Sequence, residues 1–266
     1  MTGIGSLPRI DQSKASISRV YDALLDGKDH YPVDEKVHDQ LRAAMPKIGD
    51  LAKLNREIRG RGVRYLAGEV GLRQYLDLGA GLPTAENTHQ IAQSLQPGAH
   101  VVYVDNDPIV LAHGRAMLQE NADTVVVTAD LRHPDMVLEH PDVRRLIDFG
   151  QPVAIMLVGV LNYLHDKEDP AGVVDGYLNA VPSGSHLFIT HFYDCGPQAQ
   201  LIENAFLHSL GTGRFRTQDQ IHDLFRGLDL VDPGLVYLPQ WRPNRIVRDK
   251  PTVIERLMVG GIARKP

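Results

Sequence analysis

Apolar positions fall into two regimes along the chain. Over residues 1–70 they recur at helical spacing. Ile17, Val20, Tyr21, Leu24 and Leu25 stand at i, i+3, i+4, i+7 and i+8, and Gly27 follows where a C-terminal cap belongs. Asp34 is placed to cap a second helix that carries Val37, Leu41 and Met45 up to Pro46. A third helix is predicted over Ile48–Arg59, ending at the break Gly60-Arg61-Gly62, and a fourth over Val63–Val70. From Tyr75 onward, short β-rich apolar runs alternate with helical patterns, the mark of βαβ units around a parallel sheet buried on both faces. Strands are predicted at Gln74–Leu78, Ala99–Val104, Thr124–Val127, Val153–Val158 and His186–Thr190. Asp107-Pro108, His140-Pro141 and Asp169-Pro170 each put proline at a first helical position, and Thr217 with Gln220 forms a capping box for a helix ending at Gly227. Two late strands, Leu235–Leu238 and Arg256–Arg264, have only a loop between them and are expected to be antiparallel.

Composition adds limits to this α/β pattern. With 43% apolar and 23% charged residues in 266, the chain can bury a sizeable core. A net charge of −5 gives no broad positive field for nucleic acid or anionic membrane, so neither is expected as a partner and a small-molecule substrate is. The single cysteine, Cys195, excludes an internal disulfide and a cysteine-rich metal site, and fits a reducing compartment. The start MTGIGSLPRIDQSKAS lacks a secretory pattern, and the longest apolar run, Val153 to Leu161, is too short to span a bilayer; a cytoplasmic protein is expected. No metal is expected either, because His186 and His191 lie five apart on one strand and point to opposite faces.

The chemistry concentrates in YLDLGAGLPTAEN, Tyr75 to Asn87. A strand carries Asp77, Gly79 and Gly81 allow a tight turn against a ligand, and a helix is expected near Thr84. A dinucleotide would want a third glycine and free amides for its diphosphate, where this chain has Pro83 and Thr84. S-adenosylmethionine carries an ammonium and a sulfonium instead, and Asp77 supplies a carboxylate near the glycines. Asp105 ends the second strand, placed to accept from both ribose hydroxyls, with Asn106 beside it. Asp130 ends the third, where its carboxylate can accept from the adenine amine while the Leu131 amide donates to the ring. Three carboxylates at the ends of consecutive strands mark the ligand edge of an open α/β sheet.

On these residues the chain resembles the class I S-adenosylmethionine-dependent methyltransferases from about Gln74 to Lys265, including LVDPGLVYLPQWRP and VGGIARK as the last two strands. RVYDALLDGKDHYPVD, LDLGAGLPTAENTHQIA and Trp241-Arg242-Pro243 also resemble, over nearly the whole chain, an actinobacterial methyltransferase family formerly filed as a domain of unknown function. The resemblance implies a Rossmann-like doubly wound seven-stranded sheet, mostly parallel with an antiparallel last strand, in residues 71–266. It implies S-adenosylmethionine as cofactor, S-adenosylhomocysteine as product, and binding through Asp77, Gly79, Gly81, Asp105 and Asp130. Pro83 departs from the third position of the general (D/E)-x-G-x-G-x-G pattern.

Other positions are expected to complete the site. Gly159, at the exit of the fourth strand, lets the backbone approach the cofactor, and Asn162, Tyr163 and His165 lie nearby; Tyr163 and His191 are the candidates for catalytic contact with the acceptor. Residues 1–70 are expected as a helical lid that does not fold alone, with Tyr21 over the cofactor. Lys53, Arg56, Arg59, Arg61 and Arg64 form a basic run read either as a solvated helix face or as an anchor for a carboxylate. Two rival functions stay open at this point: an NAD-dependent oxidoreductase and a non-catalytic S-adenosylmethionine-binding protein.

Overall fold

A computed structural model describes residues 10–84, 86–117, 121–246 and 250–266. The first nine residues, where the N-terminal reading began, and Ala85 of the glycine-rich stretch lie outside the described residues. Five parallel strands form the centre: β1 (Gln74–Leu78), β2 (His100–Asp105), β3 (Thr124–Thr128), β4 (Ala154–Val158) and β5 (His186–Phe192). Three more follow: β6 (Asp229–Leu230), β7 (Val236–Tyr237) and β8 (Met258–Arg264). The sheet order is β3-β2-β1-β4-β5-β8-β6, with β7 also on β8. The last strand β8 runs antiparallel to β5, from His186 opposite Arg264 to Phe192 opposite Met258.

Eight strands appear where seven were expected because the penultimate one is split. Pro233 has no amide to give a ladder, and Gly234 turns the chain with φ of +85° and a bond from its amide to the Val231 carbonyl at 2.7 Å. Each remaining piece pairs with β8 over two residues. The strand order reverses between β1 and β4, and such a switch opens a crevice at the carboxyl ends of the strands.

Ten helices are described: α1 (Ile17–Leu24), α2 (Pro32–Ala44), α3 (Ile48–Arg64), α4 (Thr88–Leu95), α5 (Pro108–Met117), α6 (Pro134–Leu138), α7 (Pro141–Leu146), α8 (Pro170–Asn179), α9 (Pro197–Leu210) and α10 (Gln218–Asp223). The expected break in α3 does not occur. The helix runs through Gly60-Arg61-Gly62 and passes into a π turn at Tyr65–Glu69, so the expected fourth helix is its continuation. Gly62 serves packing: a Cβ there would lie 2.3 Å from the Phe188 ring on β5. Asp34 does not cap α2 from outside. It sits within the first turn, accepts from the Tyr31 amide at 2.9 Å, and pairs with Arg19 of α1 at 2.9 Å, tying the first two helices together. The helix after the glycines starts at Thr88, four residues later than expected, where the Asn87 amide donates to Gln90 at 2.8 Å.

The strands distribute their side chains to two cores with a period of two. Tyr75, Val101, Ala154, Met156 and Phe188 face one side, where they join Val20, Leu24, Leu41, Ile58 and Leu66 of the N-terminal helices and Phe206 of α9. Leu76, Val102, Ile155, Leu157 and Ile189 face the other, under Val143, Val174 and Ile221. The N-terminal helices thus share one continuous core with the sheet. Among the described residues, no helix is long and apolar enough to cross a membrane.

Candidate functional site

A cavity of about 370 Å³ opens where the parallel strands end, within the roughly 300–1,000 Å³ typical of small-molecule sites. Tyr21, Asp77, Gly79, Gly81, Asp105, Asn106, Asp130, Leu131, Gly159 and Tyr163 all line it, brought together from α1, from the ends of β1 to β4 and from the turns that follow.

The glycine turn is held from beneath. The Gly79 and Ala80 amides donate to the Val104 carbonyl at 2.7 and 3.2 Å, the Gly81 amide donates to the Asp105 carboxylate at 2.8 Å, and the Thr84 amide donates to the Asn87 side chain at 3.0 Å. The Gly79, Ala80 and Gly81 amides are taken up by β2 and the Thr84 amide by Asn87, and Pro83 has none, so these positions do not offer the row of amides that a diphosphate needs. Gly79 and Gly159 are fixed by conformation and by space. Their φ values are both +70°, and added Cβ atoms would meet Val160 at 2.3 Å and Asn55 at 2.6 Å.

The three aspartates differ in environment. Asp77 is buried and accepts from the Thr88 hydroxyl at 2.7 Å; burial pushes its carboxyl up, against the pull of Arg59 and Arg56. Asp105 is buried too, and desolvation pushes it up to about 6 although the Asp107 and Gly81 amides favour its ionised form. The Ser18 hydroxyl reaches its two oxygens at 3.3 and 3.5 Å. Each oxygen also accepts one backbone amide, Asp107 at 2.9 Å and Gly81 at 2.8 Å, and beside these short bonds and the long contacts to Ser18 each keeps acceptor capacity for a further donor. Asp130 is more open, and Arg132 holds its carboxyl below the usual range through Nε bonds of 3.0 Å to each oxygen.

Helix α3 contributes three residues that the sequence reading did not place here: Asn55, Arg56 and Arg59 all line the cavity. Asn55 accepts from Thr190 at 2.6 Å and donates to the Tyr21 hydroxyl at 3.1 Å, and that hydroxyl donates to the Ala52 carbonyl at 3.0 Å. Tyr21 is thereby fixed as a wall of the cavity. The basic run divides by helical phase: Arg56 and Arg59 face inward, Arg61 donates to the Leu238 and Trp241 carbonyls, and Lys53 and Arg64 pair with Asp26 and Glu86 near the surface. The i, i+3 spacing of Arg56 and Arg59 was the available signal.

His191 is not brought to the cavity. It is fully buried in β5, its Nδ1 donates to the Phe192 carbonyl at 2.7 Å, and its Nε2 accepts from Arg216 at 2.8 Å. Desolvation, with Arg216 beside it, pushes the imidazole down to about 3, so it stays neutral and serves structure. Tyr163 packs edge-on against Phe192 and Phe206, and burial pushes its hydroxyl well up, which suits a donor or a wall better than a base. Among the described residues no group of three or more His, Cys, Asp or Glu is arranged to hold a metal.

A family model described as S-adenosyl methyltransferase matches residues 5–266. A crystal structure of a putative methyltransferase from Thermobifida fusca is 47% identical, with a TM-score of 0.94 and 99% of each chain covered. A DUF574 family protein from Streptomyces avermitilis is 35% identical, with a TM-score of 0.92 over 97% of this chain and 100% of that one. The N-methyltransferase NodS from Bradyrhizobium japonicum, solved with S-adenosylhomocysteine, shares the fold at 13% identity and a TM-score of 0.51, over 93% of this chain and 99% of that one. The curated proteins contain no significant match. The chain belongs to the S-adenosyl methyltransferase family, and is an enzyme that takes its methyl group from S-adenosylmethionine and leaves S-adenosylhomocysteine.

Proposed function

We propose that the cavity at the ends of β1 to β4 holds S-adenosylmethionine and that the acceptor is a small molecule admitted beside Tyr163. The observation that carries this reading is the convergence of Tyr21, Asp77, Gly79, Gly81, Asp105, Asn106, Asp130, Leu131 and Gly159, far apart in sequence, on one cavity. Asp77 faces the ammonium, Asp105 with Asn106 the ribose, and Asp130 with the Leu131 amide the adenine. Gly79 and Gly81 let the backbone lie against the cofactor, Gly159 does so near the methyl group, and Tyr21 covers it. Bound there, S-adenosylmethionine supplies an electrophilic methyl on its sulfonium.

The chain's contribution is orientation and exclusion of water. Ile17, Ser18 and Tyr21 line the cavity from α1, and a helix across its mouth favours a compact acceptor. Holding two reactants near contact supplies as much as about 7–11 kcal/mol of barrier lowering without acid–base help. Tyr163 stays protonated at neutral pH and acts as wall or donor. The test is a transfer assay with methyl-labelled S-adenosylmethionine and fractionated cell extract. Label is expected in molecules that pass a small-pore membrane; label confined to protein or nucleic acid would overturn the small-acceptor reading.

A further inference from the structure

Arg56 and Arg59 stand one helical turn apart on α3, on the same face, and both line the cavity. Their surroundings are unusual for arginines. Arg59 is only 5% exposed, and the Nε atoms of both are buried with no hydrogen-bond partner. Arg61 and Arg64, further along the same helix, pair with Glu57 and Glu86, whereas Arg56 and Arg59 enter no ion pair among the described residues. Each is instead pinned at one terminal nitrogen by a carbonyl of the loop after β1: Arg56 Nη2 donates to Leu82 at 3.2 Å and Arg59 Nη2 donates to Glu86 at 3.0 Å. The Arg56 guanidinium also lies 5.2 Å from the centre of the Tyr21 ring. Two recessed cations, held by backbone carbonyls and, at Arg56, by the Tyr21 ring, repel one another, and the Nε–H of each meets no partner. Such a pair is stable when an anion joins it.

The position of the pair says which anion. Arg56 Nη2 lies 3.7 Å from where a Gly81 Cβ would stand, and both arginines act on Asp77 of β1, which β2 separates from β3, the strand that Asp130 follows. In the cofactor placement proposed above, on which this inference rests, Asp77 faces the α-ammonium and the ribose and adenine lie beyond it. The group beside the α-ammonium is the α-carboxylate. We propose that Arg56 and Arg59 form a two-arginine clamp for the α-carboxylate of S-adenosylmethionine, so that the N-terminal helical segment itself reads the amino-acid end of the cofactor. Planar guanidinium forks suit a carboxylate by parallel N–H···O bonds. Asp77 and the clamp together would recognise a zwitterion by its two ends.

Calorimetry with three ligands tests this without a known acceptor. S-adenosylhomocysteine carries the whole amino acid, 5′-(3-aminopropylthio)-5′-deoxyadenosine is the same molecule lacking the carboxylate, and 5′-methylthioadenosine lacks both charged groups. The wild-type protein should prefer the first over the second by roughly 30- to 100-fold. Arg59→Gln and Arg56→Gln should each remove most of that preference and change 5′-methylthioadenosine binding by less than about twofold, which also reports that the variants are folded. An unchanged preference in both variants, or an equal loss for all three ligands, would overturn the clamp. Asp105→Asn serves as the separate check on the cofactor placement. It should weaken all three ligands alike, and its failure to do so would overturn that placement and the clamp with it.

Discussion

Asp105 and His191 are buried titratable groups on one sheet, in β2 and in β5 with β1 and β4 between them, and only Asp105 faces the cavity. Asp105 was legible in the sequence because a carboxylate that ends a parallel strand must emerge at the ligand edge. His191 was not, because its role depends on Arg216, which reaches it from a later segment and also donates to the Leu161 and Leu164 carbonyls. No local spacing announces such a partner. The burial of Asp105 has a measurable consequence. Its folded-state pKa is raised from 3.8 to about 6, so the ionised form costs stability above that pH and the cost is relieved as pH falls toward 3.8. Cofactor binding runs with the opposite sign, since ribose hydroxyls donate to the carboxylate and favour its ionised form. Affinity for S-adenosylhomocysteine should therefore fall by about tenfold between pH 7 and pH 5, and titration calorimetry on Asp105→Asn should show a weaker and flat profile over that range. A wild-type affinity independent of pH across this interval would contradict the ribose role of Asp105.

At the scale of elements, the helices that open on proline were readable from local chemistry, as α5, α7 and α8 show. Two others, α6 and α9, open on Pro134 and Pro197 but went unread; α6 is only five residues long, and Leu201 of α9 is exposed, which blurs its apolar stripe. The misreading of α3 has a different cause. Gly60 and Gly62 look like a helix stop because glycine has low helical propensity, but the helix continues, and at Gly62 the approach of the Phe188 ring of β5 is what calls for glycine. Removing the glycine should show this. Gly62→Ala gains up to about 1 kcal/mol of helical propensity, yet its methyl meets the Phe188 ring, and overpacking costs about 1–3 kcal/mol. A net loss of stability is expected in urea unfolding. Gly68→Ala is the control: its Cβ would meet only Leu95, at 3.7 Å, and the substitution should be neutral or stabilising. A stabilised Gly62→Ala would show that the close approach to β5 does not govern this helix.

For the whole molecule, the alternation of β-rich and helical runs was enough to read the parallel sheet, because strand content follows from burial on both faces, whereas the antiparallel last strand was legible only from the loop-only link between the last two strands and from the family resemblance. The place of the N-terminal helices was less legible. Helical phase showed that α1 and α3 are amphipathic but not where on the sheet they dock. That docking carries Tyr21, Asn55, Arg56 and Arg59 to the cavity and merges the helices with the sheet in one core. In the proposed arrangement, the N-terminal helices and the ends of four parallel strands jointly hold the methyl donor. A crystal structure of the complex with S-adenosylhomocysteine tests this most directly. Expected there are the ribose hydroxyls on Asp105, the adenine between Asp130 and Leu131, the amino-acid end between Asp77 and α3, and Tyr21 closing the site. Ligand density outside this cavity, or within it but with the adenine at the Asp77 end, would contradict the account.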